Sequence, residues 1–108
     1  MPTGISDVKY KEGAFEDIKN NFGNSHQQRI KKKFKDIKTN CKLGSRDPRL
    51  SSEYKKVDEV KGYTIYRKWV GKSLARLFFA VKGNEMILVS VLPKDDNTYK
   101  FTNYHNRL

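Results

Sequence analysis

The spacing of apolar residues changes once along this chain of 108 residues, near residue 54. Before that point apolar residues recur every three or four positions, as on one face of a helix, and beyond it they alternate, as on one face of a strand. Helices grouped before strands predict an α+β fold in the order β-α-α-β-β-β, with an N-terminal strand and two helices packed on a small antiparallel sheet. This length suits one domain. We expect its core to span about residues 5 to 101, with a mobile tail at 102 to 108.

The first part of the chain predicts one short strand and one short helix. Residues 5 to 10 alternate well enough for the strand. Phe15, Ile18 and Phe22 have helical spacing, and the polar stretch that ends at Gly23 stops the helix.

A second helix is the clearest element of the sequence. Ser25 and Gln28 form an S-x-x-Q capping box, and Leu43 and Gly44 end the helix. Its apolar stripe consists of Ile30, Phe34, Ile37 and Cys41. The other positions are rich in cations: Arg29, Lys31, Lys32, Lys33, Lys35, Lys38 and Lys42. A stripe of cations at this spacing follows a phosphate backbone, so we expect these residues to contact RNA, including ribosomal RNA, although a solvated helix face has the same pattern.

After a polar loop at 45 to 53, the alternation predicts a meander. Residues 54 to 60 form a strand or an irregular lead-in, and three strands follow at 62 to 70, 74 to 82 and 86 to 92. Two sets of residues are expected to pack on the helices: Leu77, Phe79 and Val81 from one strand, and Ile87, Val89 and Val91 from the next. Arg76, Phe78 and Ala80 then face away from the helices, and Arg76 lies at the start of a central strand on an open sheet face.

The charge narrows the possible partners. Lys and Arg number 23 against 12 Asp and Glu, so the formal net charge is +11. Such an excess indicates a polyanionic partner, with nucleic acid first and an anionic membrane or an acidic protein as alternatives; a merely soluble basic surface is the plainer interpretation. The single cysteine allows no intrachain disulfide and suits a reducing cytoplasm. The N-terminus has no signal-peptide pattern and no apolar run has the length of a membrane span, so we expect no membrane partner.

The chain resembles the RelE/ParE toxin superfamily over about residues 5 to 100. The resemblance lies in the order of elements, the outward Arg76 and a basic tail that contains tyrosine. The most specific part is 72 to 81, which is similar to the family's glycine–tyrosine–arginine–leucine–x–tyrosine strand, although Leu74 and Ala75 replace the glycine and tyrosine. Residues 86 to 91 look like the family's final core strand. The resemblance implies a RelE-like toxin of a type II toxin–antitoxin system, with a cognate antitoxin that lays an extended or helical acidic segment across it.

The same resemblance implies an mRNA interferase and its site residues. Lys94 and Tyr99 fall where RelE-type nucleases place a basic residue and then an aromatic or histidine. Arg67 and Lys68 fall on the preceding strand, where such nucleases carry lysines or arginines, and Lys68 is expected to bind RNA.

Cleavage of this type needs no metal and no cofactor, because the 2′-hydroxyl of the RNA is the nucleophile. Arg76 is suited to stabilise the negative charge of the pentavalent phosphorane, and Arg67 is the candidate for a second arginine that holds the same phosphate. Lys94 adds positive charge or transfers a proton. Tyr99 and His105 are the candidate acid or base groups, with an edge-packed tyrosine and a frayed-tail histidine as the plainer interpretations. Trp69 is either core or a surface on which a base stacks.

Three functions remain open on the sequence. The first is a toxin-type endoribonuclease that cuts messenger RNA and is associated with the ribosome. The second is a non-catalytic poison of DNA gyrase, as in the ParE branch, and the third is a basic RNA-binding module.

Overall fold

The change in apolar spacing separates a helical layer from a sheet. The computed structural model describes residues 5, 7–42, 53–71, 74–93 and 108. Its elements follow in the order β1 (Asp7–Tyr10), α1 (Glu12–Asn21), α2 (Asn24–Lys42), β2 (Lys55–Val60), β3 (Tyr63–Val70), β4 (Ala75–Lys82) and β5 (Glu85–Pro93). The predicted α+β class, with an N-terminal strand and two helices before the meander, is confirmed. In the described part of the chain, no helix is long and apolar enough to cross a membrane.

The five strands form one mixed sheet in the order β1-β5-β4-β3-β2. β1 runs parallel to β5, because the two helices carry the chain across one face before the meander begins. The segment at 54 to 60, which the sequence left open, is the antiparallel edge strand β2. A two-residue turn joins it to β3, with Lys61 and Gly62 both at positive φ, 52° and 86°. Two consecutive positive φ values are typical of the type I′ hairpin, whose twist matches that of the strands.

The main core lies between the helices and one face of the sheet. Leu77, Phe79 and Val81 are buried there as predicted, opposite the α2 stripe of Ile30, Phe34 and Ile37. Aromatic rings connect the two layers: the Phe34 ring stacks on Phe79 at 6.4 Å between centroids, and Phe79 meets Tyr54 edge-on at 6.1 Å. The side chain of Cys41, predicted for the same stripe, lies outside the described residues.

A β-bulge in β5 corrects one predicted face. Leu88 pairs with Phe79 and Ser90 pairs with Phe78, so Val89 is an extra residue in β5. Upstream of this bulge, Met86 and Leu88 pack toward the helices, whereas Ile87 and Val89 lie on the opposite face. The prediction that Ile87 and Val89 pack on the helices is therefore wrong, while Val91, beyond the bulge, does so. The physical reason is that one inserted residue shifts the alternation of every residue on one side of it.

The sheet face away from the helices carries a second apolar cluster. Phe78 and Ala80 face this way, as predicted, and both are fully buried. The other buried members are Val60, Ile65, Ile87, Val89 and Leu92, with the partly buried Leu108 packed against them. The expectation of an open sheet face is thus wrong for this region. Burial on both faces gives β4 and β5 nearly continuous apolar sequences.

Hydrogen bonds attach the helical layer to β5 where β1 ends. The Lys11 amide donates to the Leu88 carbonyl at 2.9 Å, and the Val91 amide donates to Asp17 Oδ2, on α1, at 3.1 Å. Because β1 has ended there, the Asp17 carboxylate, and not a backbone carbonyl of β1, accepts the hydrogen bond from this β5 amide.

The start of α2 differs from the predicted capping box. The Gln27 backbone N–H donates to the Gly23 carbonyl at 2.8 Å. The N-cap is therefore Gly23, and Ser25 lies inside the first turn of the helix. The Gln27 side chain, rather than that of Gln28, returns to the preceding chain and donates to the Phe22 carbonyl at 2.8 Å.

Candidate functional site

Two arginines and the single tryptophan meet on the face of the sheet away from the helices. Trp69 on β3 lies directly opposite Arg76 on β4, and Arg67 pairs with Phe78 two residues along the same ladder. Arg67 and Trp69 are two residues apart in one strand, so their side chains leave the same face. The guanidinium carbons of Arg67 and Arg76 each lie 5.7 Å from the centroid of the Trp69 ring. We call these three residues the arginine–tryptophan cluster.

Arg76 is held in place by the end of β5. Its Nη2 donates to the Pro93 carbonyl at 2.9 Å, and the side chain is half-buried. Pro93 is the last residue of β5 and pairs with Ala75, so the strand ends one residue beyond the predicted range of 86 to 92.

The Arg67 guanidinium has a hydrogen-bond donor that no described residue accepts. Its residue is half-buried, and its Nε is buried with no hydrogen-bond acceptor within the described residues. A guanidinium has five N–H donors in a planar fork that matches two oxygens of a phosphate. Beside it, Phe78 and Ile65 are fully buried, so the cluster has apolar surroundings on the sheet side. Such surroundings strengthen the attraction between a guanidinium and an anion.

Lys68 does not belong to this site. It faces the helical side of the sheet, is only 7% exposed, and its Nζ donates to Glu53 Oε1 at 2.6 Å. The same ammonium lies 5.1 Å from the centroid of the Tyr54 ring. The prediction of Lys68 as an RNA-binding residue is therefore corrected, since neighbours in a strand point to opposite faces and this one is turned into the protein.

Several predicted residues lie outside the described residues. These are Lys94, Tyr99 and His105, the candidates for proton transfer. The described chain thus brings together the cationic part of the predicted chemistry, Arg67 and Arg76, and leaves the acid and base as sequence-based predictions. No three His, Cys, Asp or Glu side chains in the described ranges are close enough to hold a metal ion.

Along the basic face of α2, the described residues line two grooves. The Arg29 groove, of about 340 Å³, is lined by Arg29, Lys32, Lys33 and Asp36 together with Val70 and Gly71 at the end of β3. The Phe34 groove, of about 500 Å³, has an apolar floor and a basic rim, lined by Phe15, Gln28, Lys31, Lys32, Phe34, Lys35 and Lys38. Lys42, predicted for the same basic face, is the last residue of α2, and its side chain lies outside the described residues.

Sequence reasoning gave Trp69 too little weight. Its spacing of two from Arg67 places both on one face, which was readable from the alternation. Its position opposite Arg76 was not, because cross-strand partners depend on hairpin register. The apolar floor of the Phe34 groove was also missed, since Phe15 and Phe34 read as ordinary core positions of two different helices.

Comparison with solved structures identifies the architecture. The chain superposes on a chain of the archaeal RelE–RelB complex from Pyrococcus horikoshii OT3 with a TM-score of 0.54, over 87% of this chain and 98% of that one. The fold is RelE-like. At 16% sequence identity the likeness is one of fold, and it confirms the fold that the resemblance over about residues 5 to 100 implied. Neither a protein-family model nor a curated protein sequence matches the chain.

Proposed function

We propose that this protein is the toxin of a toxin–antitoxin pair and acts as an endoribonuclease on messenger RNA in the cytoplasm. The observation that carries the proposal is the arginine–tryptophan cluster, in which two guanidiniums converge on one ring on a RelE-like sheet. Convergent arginines on a rigid sheet suit a phosphodiester, because each can form paired hydrogen bonds to phosphate oxygens.

The proposed reaction is metal-free transesterification. The 2′-oxygen of one nucleotide attacks the adjacent phosphorus while a base removes its proton, and the bond from phosphorus to the 5′-oxygen breaks as an acid protonates that oxygen. The products are a 2′,3′-cyclic phosphate and a 5′-hydroxyl. Arg76, fixed by the Pro93 carbonyl, and Arg67, whose Nε has no acceptor among the described residues, stabilise the charge that grows on the phosphorane oxygens. Lys94, Tyr99 and His105 are proposed for the two proton transfers.

The Arg29 groove supports contact with a nucleic-acid backbone. Arg29, Lys32 and Lys33 supply three cations against one carboxylate, Asp36, beside the end of β3. Lysines and arginines that neutralise phosphates give affinity that is independent of base sequence. We propose ribosomal RNA as the ligand of this groove, which would bring the toxin to messenger RNA during translation.

The Phe34 groove supports a protein partner. An apolar floor beneath a lysine rim fits an acidic amphipathic helix, whose apolar face covers Phe15 and Phe34 and whose carboxylates meet Lys31, Lys35 and Lys38. We propose that an antitoxin segment of this chemistry occupies it. Replacing the three rim lysines by glutamate is expected to weaken binding of an acidic amphipathic peptide at least about tenfold, because like charges then face each other. Unchanged affinity would contradict this assignment.

The test of nuclease activity compares purified wild-type protein and Arg76→Ala on RNA alone and in a translating extract. The 5′ ends of the RNA are mapped after brief exposure, and discrete wild-type cuts within reading frames are expected. Arg76→Ala should abolish cutting while RNA binding falls little, because a transition-state contact contributes mainly to rate. Lys82→Ala is the matched control, since Lys82 is an exposed cation at the far end of the same strand.

Two results would contradict the nuclease proposal. Intact RNA in both settings, with protein that remains folded by circular dichroism, would remove it. Equal losses of binding and cutting in Arg76→Ala would show Arg76 to be an anchor only.

A gyrase poison of the ParE type is the second candidate. It is favoured by the composition of the arginine–tryptophan cluster, in which the described residues include no imidazole or carboxyl group for proton transfer. Loss of DNA supercoiling by gyrase at excess protein would support it, and unchanged supercoiling would remove it.

A further inference from the structure

We propose that Trp69 is a platform for a nucleobase, on which the base next to the bound phosphate stacks while Arg67 and Arg76 hold that phosphate. The inference rests on the proposed function for the identity of the ligand as RNA. It adds a second recognition element, a base, to a site so far defined only by its charge.

The exposure of Trp69 is the first observation. Its side chain is 39% exposed, and its strand neighbours Lys68 and Val70 are buried on the other face. A core tryptophan does not leave this much apolar ring in water. The other exposed large apolar side chain in the described ranges is Tyr10, at 52%, but its ring stacks on Phe15 at 4.1 Å between centroids. Trp69 is therefore the exposed ring whose described contacts are cations.

The position of the two guanidiniums is the second observation. Both lie 5.7 Å from the Trp69 centroid, so an anion that binds to either guanidinium lies near the ring. At a partly exposed site the cation–π contact is weak and exchanges readily for charge-assisted hydrogen bonds to phosphate. When a phosphate draws a guanidinium toward itself, the face of the ring that the guanidinium covered becomes available to a base.

The combination of groups selects the ligand class. A nucleotide joins a phosphate group to a flat aromatic base. Inorganic phosphate lacks the base, and an acidic peptide offers carboxylates but no base. Stacking on tryptophan accepts every base, because each has a π face. The platform thus predicts that a base is required at this position, with its identity of secondary importance.

The single tryptophan of the chain makes this directly measurable, because intrinsic tryptophan fluorescence reports on Trp69 alone. The probes are 5′-AMP, ribose 5-phosphate, inorganic phosphate, polyglutamate and a short oligodeoxynucleotide, which lacks the 2′-hydroxyl and stays intact. We expect saturable quenching by 5′-AMP and the oligodeoxynucleotide, and little by the three ligands without a base.

Substitutions then test the ring itself, with affinities for the oligodeoxynucleotide measured by filter binding. Trp69→Leu is expected to weaken binding at least about fivefold, the lower end of what one stacked base contributes, and Trp69→Phe to retain most of it. Tyr10→Leu is the control, since Tyr10 is even more exposed than Trp69 but its ring stacks on Phe15 of α1. In cleavage assays Trp69→Leu should raise KM more than it lowers kcat, because the stack forms with substrate before the transition state.

The outcomes separate this inference from the proposed function. Wild-type affinity in Trp69→Leu, or equal quenching by inorganic phosphate, would overturn the platform. Quenching by polyglutamate but not by 5′-AMP would overturn it in favour of an acidic protein surface. Quenching by 5′-AMP from a protein that leaves RNA intact in the translating extract would support the platform and reject the nuclease.

Discussion

The ion pair between Lys68 and Glu53 is asymmetric, and this asymmetry predicts unequal effects of removing either partner. The Lys68 side chain is 9% exposed and the Glu53 side chain 43% exposed, with Nζ and Oε1 2.6 Å apart. Glu53→Ala would leave an ammonium that burial has taken out of water. Lys68→Met would leave a carboxylate that water already reaches, and methionine would fill most of the volume of the lysine stem.

The expected magnitudes follow from the burial of each charge. A hydrogen bond to a charged group contributes about 1.5–3 kcal/mol, and the exposure of Glu53 places this one toward the lower end. We therefore expect Glu53→Ala to lower the free energy of unfolding by about 2 kcal/mol, and Lys68→Met to change it by less than about 0.5 kcal/mol. The double variant should resemble Lys68→Met, so the coupling between the two positions is again about 2 kcal/mol.

Urea unfolding followed by Trp69 fluorescence measures all four members of this cycle. RNA affinity provides the functional comparison. Lys68→Met should bind RNA as the wild type does. Arg67→Met, which changes the neighbouring residue on the opposite face, should lose one phosphate contact, so the slope of log K against log salt should become less steep by about 0.7. Additive effects of the two substitutions on stability, or equal losses of RNA affinity from Lys68→Met and Arg67→Met, would refute the reasoning.

Three further substitutions test the fold around the site, each by urea unfolding. Asp17→Ala removes the acceptor of the Val91 amide and should cost about 1–2 kcal/mol; no loss would mean that water replaces the carboxylate. Lys61→Asn should stabilise the protein by about 0.5–1 kcal/mol, because asparagine tolerates the positive φ of 52° at the β2–β3 turn better than lysine does. Phe34→Ala should cost about 3–4 kcal/mol, since the ring packs between Phe15 and Phe79; a smaller loss would show that the groove collapses.

Much of the fold was readable from the spacing of apolar residues. Helical spacing indicated both helices and located the two ends of α2 to within two residues. Alternation placed Leu77, Phe79 and Val81 on the helical side and Phe78 and Ala80 on the other. These inferences succeed because the periods of helix and strand are local properties of the backbone, and burial selects residues at those periods.

The cations were less completely predictable. Their clustering on α2 was evident, but its division into the Arg29 groove and the Phe34 groove depends on which neighbours, β3 or α1, flank each side of the helix. Lys94, Tyr99 and His105 remain predictions from the sequence.

The sequence by itself determined that Arg76 points away from the helices, because its strand neighbours Ala75 and Leu77 alternate into the core. Only the tertiary structure decided what Arg76 meets there. Trp69 lies opposite Arg76 because the β3–β4 hairpin sets the register of these two strands. The Pro93 carbonyl accepts a hydrogen bond from Arg76, and Pro93 belongs to β5, whose pairing with β4 is shifted by the bulge at Val89. Alternation within a strand assigns a residue to a face, but pairing between strands assigns its neighbours, and pairing is a property of the folded sheet.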